Sequence, residues 1–153
     1  MLRISKLTDY GTLILACLAG QPERVWTASE VADCIKVGLP TVSKLLKKLQ
    51  RGGLVSSTRG SHGGYQLSRP AAGITAAHIL DALEGPFAIT ECSGQHSACG
   101  YQSNCRVGHV WQRVNAAIYR ALSDVSLAEL SGAERPVAVS VPLHRINRIS
   151  PNR

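Results

Sequence analysis

The stretch LPTVSKLLKKLQRGGLVSSTRGSHGGYQLS, residues 39–68, decides how the chain is read. Pro40 suits the start of a helix, where its missing amide hydrogen is not needed. Val42, Leu45, Leu46 and Leu49 then recur at the spacing of one buried helical face. Pro40, Lys44, Lys47 and Arg51 fall on the opposite face, with Ser43 and Lys48 flanking it. Just upstream, Thr27 and Glu30 fit a capping box that opens a short helix reaching about Lys36, and Val37, Gly38 and Leu39 form a turn. Two helices joined by a tight turn, the second with a basic outer face, make the helix-turn-helix pattern. Taken alone, the second helix reads equally well as an ordinary amphipathic helix with a solvated Lys/Arg face. The segment after it decides between the two. LVSST (54–58) and GYQLS (64–68) are two short strands joined by the glycine-rich tip RGSHG (59–63), which is a wing. Arg59 at its base suits a narrow minor groove, where the negative potential is enhanced. His62 is either a phosphate contact or an exposed turn residue without a role.

On either side of this unit the periodicity is helical. Leu7, Tyr10, Leu13, Ile14, Ala16, Cys17 and Leu18 place a buried face on a helix that ends at Gly20, Gln21 and Pro22. Cys17 on that face reads as a small buried hydrophobe. Residues 75–83 form another short helix, stopped by Gly85 and Pro86, and a loop bearing Cys92, Cys99 and Cys105 runs from about Thr90 to Arg106. Beyond it, Val107, Val110, Trp111, Val114, Ala117, Ile118, Ala121, Leu122 and Val125 continue at three-and-four spacing, a stripe suited to dimerisation. The expected fold is mainly α with a small β wing: a winged helix-turn-helix plus a long C-terminal dimerisation helix. Its divisions are a DNA-binding domain over 1–86, a cysteine loop over 87–106, the dimerisation helix over 107–130, and a disordered, proline- and arginine-containing tail over 131–153.

Composition agrees with a polyanionic partner. The 153 residues carry a formal charge of +7, and Lys36, Lys44, Lys47, Lys48, Arg51, Arg59 and Arg69 form a block free of Asp and Glu. No apolar run approaches the roughly 18–20 residues a membrane span needs, and the N-terminus lacks a signal-peptide pattern. A cytoplasmic protein with no membrane partner is expected. No phosphate loop or nucleophile motif is found, so neither an enzyme nor a small-molecule substrate is expected.

In a reducing compartment, three thiols in one Gly/Ser-rich loop point to metal or redox chemistry rather than to disulfides. The spacing, six residues and then five, is not the pair typical of a structural zinc ribbon. An iron–sulfur cluster, zinc, a thiol switch and incidental cysteines all stay open, with the cluster placed first. A four-ligand site needs one more donor, and Asp9, Glu91, His96 and His109 are the candidates.

ISKLTDYG, LPTVSKLLKKLQRGGLV, STRGSHGGYQLSRP and ALEGPFAITEC, followed by the spaced cysteines, together resemble the Rrf-two family of bacterial winged-helix regulators, over about residues 1–130. Within that family the chain is most similar to the proteobacterial branch that regulates the SUF iron–sulfur assembly system. The resemblance implies a homodimer binding double-stranded promoter DNA, whose cluster state changes DNA affinity, and for this branch a repressor of cluster-assembly genes. It implies Cys92, Cys99 and Cys105 as cluster ligands, a 2Fe–2S cluster ahead of 4Fe–4S, and Arg59 as the minor-groove arginine. Thr41, Ser43 and Lys44 occupy the base-facing start of the recognition helix. Lys47, Lys48, Arg51 and His62 complete the candidate DNA contacts. The family's general iron–sulfur assembly regulator has an acidic residue where this chain has Ser43. It also has a ligating histidine where this chain has Gly108, with His109 displaced by one. A nitric-oxide-sensing branch uses an aspartate of the partner's first helix, and Asp9 matches it. A nitric-oxide or redox sensor on the same scaffold is the alternative reading, followed by a winged helix with structural zinc.

Overall fold

A computed structural model describes residues 4–60, 63–93 and 107–133. Ser5 opens the first helix, α1 (Lys6–Ala19), its hydroxyl accepting from the Thr8 amide at 3.2 Å. Next, α2 (Ala28–Ile35) begins with the expected capping box: Glu30 N–H donates to Thr27 Oγ1 at 3.2 Å, and Thr27 N–H to Glu30 Oε2 at 2.7 Å. It ends on Lys36, whose φ of 55° puts a non-glycine residue in the left-handed region. The tight link to α3 (Leu39–Arg51) comes directly after, and Pro40 takes the second helical position rather than the first.

Strands β1 (Val55–Thr58) and β2 (Gly64–Leu67) pair antiparallel with Val55 opposite Leu67 and Thr58 opposite Gly64. Trp26 adds a bridge to Tyr65, with N–H···O distances of 2.9 and 2.7 Å, so the segment between α1 and α2 braces the wing. Here Gly64 is required, because a Cβ would lie 2.5 Å from the Trp26 carbonyl oxygen. After a 3-10 turn at Ala71–Gly73 come α4 (Ala76–Glu84), a second 3-10 turn at Glu91–Ser93, α5 (Gly108–Ser123) and α6 (Leu127–Leu130). The architecture is mostly helical with one two-stranded sheet, as expected.

α1, α2, α3, β1, β2, α4 and α6 supply one core. Ile14, Leu15 and Leu18 meet Val31, Val42, Leu46, Leu49, Leu54, Ile74, Ile79 and Leu127, all essentially without solvent contact. Each such side chain stabilises the fold by about 1.5–3 kcal/mol on burial. The structure differs from the expected pattern in α1, after Ser123 and at residues 131–133. In α1 the buried residues are Thr8, Gly11, Ile14, Leu15 and Leu18, while Leu7 and Leu13 are exposed. The reason is close packing: Leu83 of α4 sits so near Gly11 that a Cβ there would meet its Cδ1 at 2.3 Å. The helix expected over 107–130 is two helices. The chain leaves α5 at Ser123, and Ala76 N–H donates to Val125 O at 2.9 Å and Leu127 N–H to Ile74 O at 2.7 Å. Leu127 thereby returns to the core of the helix-turn-helix unit, while residues 131–133 close α6 by hydrogen bonds and do not belong to a tail. Residues 134–153 lie outside the described residues.

Gly52, just past α3, faces Ala82 of α4 so closely that a Cβ would lie 2.5 Å from the Ala82 Cβ and 3.2 Å from its Cα. Neither atom can swing away. Gly52→Ala is expected to cost about 1–3 kcal/mol by overpacking, lowering Tm by on the order of 5 °C. Gly73→Ala, with Arg69 Cδ as its nearest contact at 3.9 Å, should leave Tm within about 1–2 °C. Calorimetry of the two variants checks this.

Candidate nucleic-acid interface and cysteine loop

One face of α3 is fully committed to the core through Val42, Leu45, Leu46 and Leu49. The rest of the helix is thereby oriented. Lys44, Lys47 and Arg51 are exposed, and Thr41 and Ser43 are half-buried near its start. The end of the helix is tied to the wing: Gln50 Nε2 donates to Ser57 Oγ at 2.7 Å, and Ser68 Oγ donates to Gly53 O at 2.5 Å. Arg59 is exposed where β1 runs into the hairpin tip, and Gly60 beside it has a φ of 114°. The basic helix face and the wing arginine therefore belong to one braced unit. His62 lies outside the described residues.

Lys48 is exposed like Lys44, Lys47 and Arg51, and it also reaches a neighbouring helix. Its ammonium donates to the carbonyl of Leu83 in the last turn of α4, where a cation also complements the helix macrodipole. That geometry directs it toward the scaffold. Beside it, Glu84 accepts hydrogen bonds from the Ser5 and Thr8 hydroxyls, which hold its carboxyl below the usual carboxylate range, with Lys48 adding a smaller attraction. No sequence pattern signals this junction, because its members are 76 and 79 positions apart.

Several side chains missed in the sequence anchor the approach to the cysteine loop. Asp81 accepts from Phe87 N–H at 3.1 Å and from the Tyr119 hydroxyl at 2.9 Å, and that bond to a carboxylate raises the Tyr119 pKa. Asn115 of α5 accepts from Ile89 N–H at 3.1 Å. Residues 87–89 are thus fastened to α4 and α5 just before the 3-10 turn that contains Cys92. Cys99, Cys105 and His96 lie outside the described residues, and so does the side chain of Cys92. Asp9 is exposed in the first turn of α1, on the wall of an open apolar cavity of about 480 Å³ lined by Ile4, Leu13, Leu80, Leu122 and Leu130. Glu91 and His109 are exposed on other elements, the 3-10 turn and the first turn of α5. Among the described residues, no three His, Cys, Asp or Glu side chains gather in a way that could hold a metal ion.

Val107, at the N-cap of α5, and Val110, Trp111 and Val114 on it are exposed, Val107 at 58% and Trp111 at 44%. Gly108 alone is buried on this helix. A large apolar stripe in contact with water marks an interaction face. Among the described residues no helix is long and apolar enough to cross a membrane.

The two lysines next to each other on α3 should separate in a stability measurement. Lys48→Ala removes the cation at the end of α4 and is expected to cost about 1 kcal/mol, whereas Lys47→Ala should change stability by less than about 0.5 kcal/mol. Urea titrations of both variants provide the comparison, and equal midpoints would place both ammonium groups in solvent.

The family model described as Rrf2, iron-dependent transcriptional regulator, matches residues 4–133. The chain is 29% identical over 130 residues to protein rrf2 of Nitratidesulfovibrio vulgaris, covering 84% of this chain and 87% of that protein. It is similar in structure to CymR, the global cysteine regulator of B. subtilis, with a TM-score of 0.64 and 26% identity over 88% of this chain and 99% of the other. It is also similar to IscR of T. potens, with a TM-score of 0.62 and 27% identity over 87% and 89% of the two chains. A winged helix-turn-helix with a basic recognition face, matched over nearly its whole described length by regulators, is a DNA-binding transcription factor and not an enzyme. The chain belongs to the Rrf2 family of transcriptional regulators.

Proposed function

We propose that this protein is an iron–sulfur-sensing transcriptional regulator that acts as a homodimer in the cytoplasm and represses SUF cluster-assembly genes. What supports the reading is the sequence itself, which carries three thiols, Cys92, Cys99 and Cys105, within 14 positions between residues 91 and 106. The donor chemistry fits an iron–sulfur cluster, for which soft thiolates are the usual ligands. A cluster held there would supply a centre whose loss under oxidant or iron shortage alters the loop. Asp9 is the proposed fourth ligand, donated from the α1 of a second copy. A carboxylate is a hard donor and holds iron less firmly than a fourth thiolate would, which suits a site that must open. A 2Fe–2S cluster is favoured.

The dimer reading is supported by the exposed stripe on α5, which a second copy would cover. DNA contact is assigned to Thr41, Ser43 and Lys44 at the start of α3, to Lys47 and Arg51 along it, and to Arg59 and His62 in the wing. The acid-free block from Lys36 to Arg69 supports that assignment, since phosphate neutralisation releases counterions. Lys48, turned toward α4, is left out.

Anaerobic purification with visible and Mössbauer spectra plus iron and sulfide analysis tests the cluster. Each of Cys92→Ala, Cys99→Ala and Cys105→Ala should lose the visible absorption. Asp9→Ala should shift the spectrum or shorten the cluster's lifetime in air, while His109→Ala changes neither. Zinc at one equivalent per chain without iron or sulfide would overturn the reading. In DNA titrations, Lys47→Ala should flatten the salt dependence by about one unit of log–log slope, Lys48→Ala should leave the slope unchanged, and Arg59→Ala should lose more affinity on A·T-rich than on G·C-rich flanks.

A further inference from the structure

The start of the recognition helix carries an apolar surface that the DNA contacts assigned above leave unused. Leu39 is the first residue of α3 and is 44% exposed. Among the described residues between Lys36 and Arg69, no other leucine, isoleucine, valine or aromatic side chain is exposed. Val37, two positions earlier, packs against the core, whereas Leu39 belongs neither to that core nor to the partly buried side chains on it. Gly38 on one side has no side chain to cover it, and Pro40 on the other is itself exposed. Around this apolar tip the surface is polar or charged, with Lys36, Ser43, Lys44 and Lys47.

Given the assignment of α3 to the major groove, on which this reading rests, we propose that Leu39, with the Pro40 ring beside it, contacts the C5-methyl group of a thymine and selects that base in each half-site. Helical geometry sets the direction. Successive residues turn by about 100°, so Leu39 and Ser43 stand one turn apart on the same flank of α3. It is the flank of Gln50, whose side-chain amide is bonded to Ser57 of the wing. Lys48 is on the other flank, toward α4. The core face, with Val42, Leu45, Leu46 and Leu49, is committed to the interior. Leu39 therefore continues, toward the start of α3, the strip on which Ser43 is assigned a base contact, and a recognition helix presents its first residues to base edges.

The major groove offers an apolar side chain one kind of partner. Its base edges are hydrogen-bond donors and acceptors except for the methyl at C5 of thymine. Packing Leu39 on that methyl removes apolar surface of both from water, which for one buried methyl group amounts to about four-fold in affinity. Against guanine, adenine or cytosine the same side chain would cover a polar edge without satisfying it, which is unfavourable. Thr41 and Ser43 carry hydroxyls that can donate or accept and so tolerate several bases. Leu39 supplies a discrimination that those hydroxyls lack, and none of it comes from charge. 5-Methylcytosine carries the same methyl group at the same edge and is the second base that could present it.

The test uses the full-length protein and a duplex that it selects from a random pool. Each thymine of one half-site is replaced in turn by deoxyuridine, which removes only the C5-methyl, and Kd is measured at one salt concentration. At one of these thymines the wild-type protein should lose about four-fold in affinity. Leu39→Ala should bind the thymine duplex as weakly as the wild type binds its uracil form, and should lose nothing further on uracil. Its salt slope should match the wild type, since no charge is removed. 5-Methylcytosine at that position should bind more tightly than cytosine, which assigns recognition to the methyl group whichever base carries it; equal binding of these two restricts it to thymine. A selected half-site without thymine, wild-type Kd values unchanged by every deoxyuridine, or equal losses for Leu39→Ala on the thymine and uracil duplexes would overturn the proposal. The deoxyuridine series alters only the DNA, so it decides the matter even where a variant fails to fold. A wild-type protein that enriches no duplex would overturn the DNA assignment of α3 itself, and this proposal with it.

Discussion

The DNA-facing half of this molecule depends on how closely α4 can approach its neighbours. Leu83 lies over Gly11 of α1, and Ala82 lies over Gly52 at the end of α3, at distances that leave no room for a side chain at either glycine. Polar groups close the same contact from outside. Glu84 takes hydrogen bonds from Ser5 and Thr8, and Lys48 reaches the Leu83 carbonyl. Removing α4 from this position would uncover the buried faces of α1 and α3 together and free the recognition helix from its support. α4 is also held from behind, since the core residue Leu127 of α6 is hydrogen-bonded to Ile74 just before it.

This junction gives the proposed sensing chemistry a short physical route to DNA. Asp9 stands one position beyond Thr8, and Thr8 is bonded to the helix whose C-terminus also holds Lys48 of the recognition helix. On the other side, Asn115, Asp81 and Tyr119 fasten residues 87–89 to α4 and α5 just ahead of Cys92. A change at the cysteine loop and a change at the start of α1 therefore both bear on α4. Interiors packed this closely shift between discrete arrangements rather than deform smoothly, which makes such a contact suited to carry a switch.

The parts of the fold that are legible in sequence are those with local causes. The capping box at Thr27 and Glu30, the apolar face of α3 and the pairing of the two wing strands each act within a few residues, and the structure has them where the pattern puts them. The buried face of α1 escapes the pattern because its inner surface is built from Thr8 and Gly11 as well as leucines: a glycine there signals close approach, which hydrophobic periodicity does not register. The break after Ser123 does have a signal. Ser126 and Glu129 form a capping box identical in kind to the one at Thr27, but the continuing apolar spacing hides it. Which lysine of α3 reaches α4 is not legible, since Lys47 and Lys48 differ only in what a distant helix presents to them.

In the proposed regulator, the state of the loop cysteines controls the affinity of the winged helix for DNA. This control is tested most directly by titrating one duplex, selected by the protein from a random pool, with the anaerobic cluster-loaded protein and with the same preparation after iron and sulfide are removed, at a single salt concentration. The Kd values of the two states should differ by about five-fold or more, the range of a working allosteric coupling. Equal Kd values for both states on that duplex would contradict it.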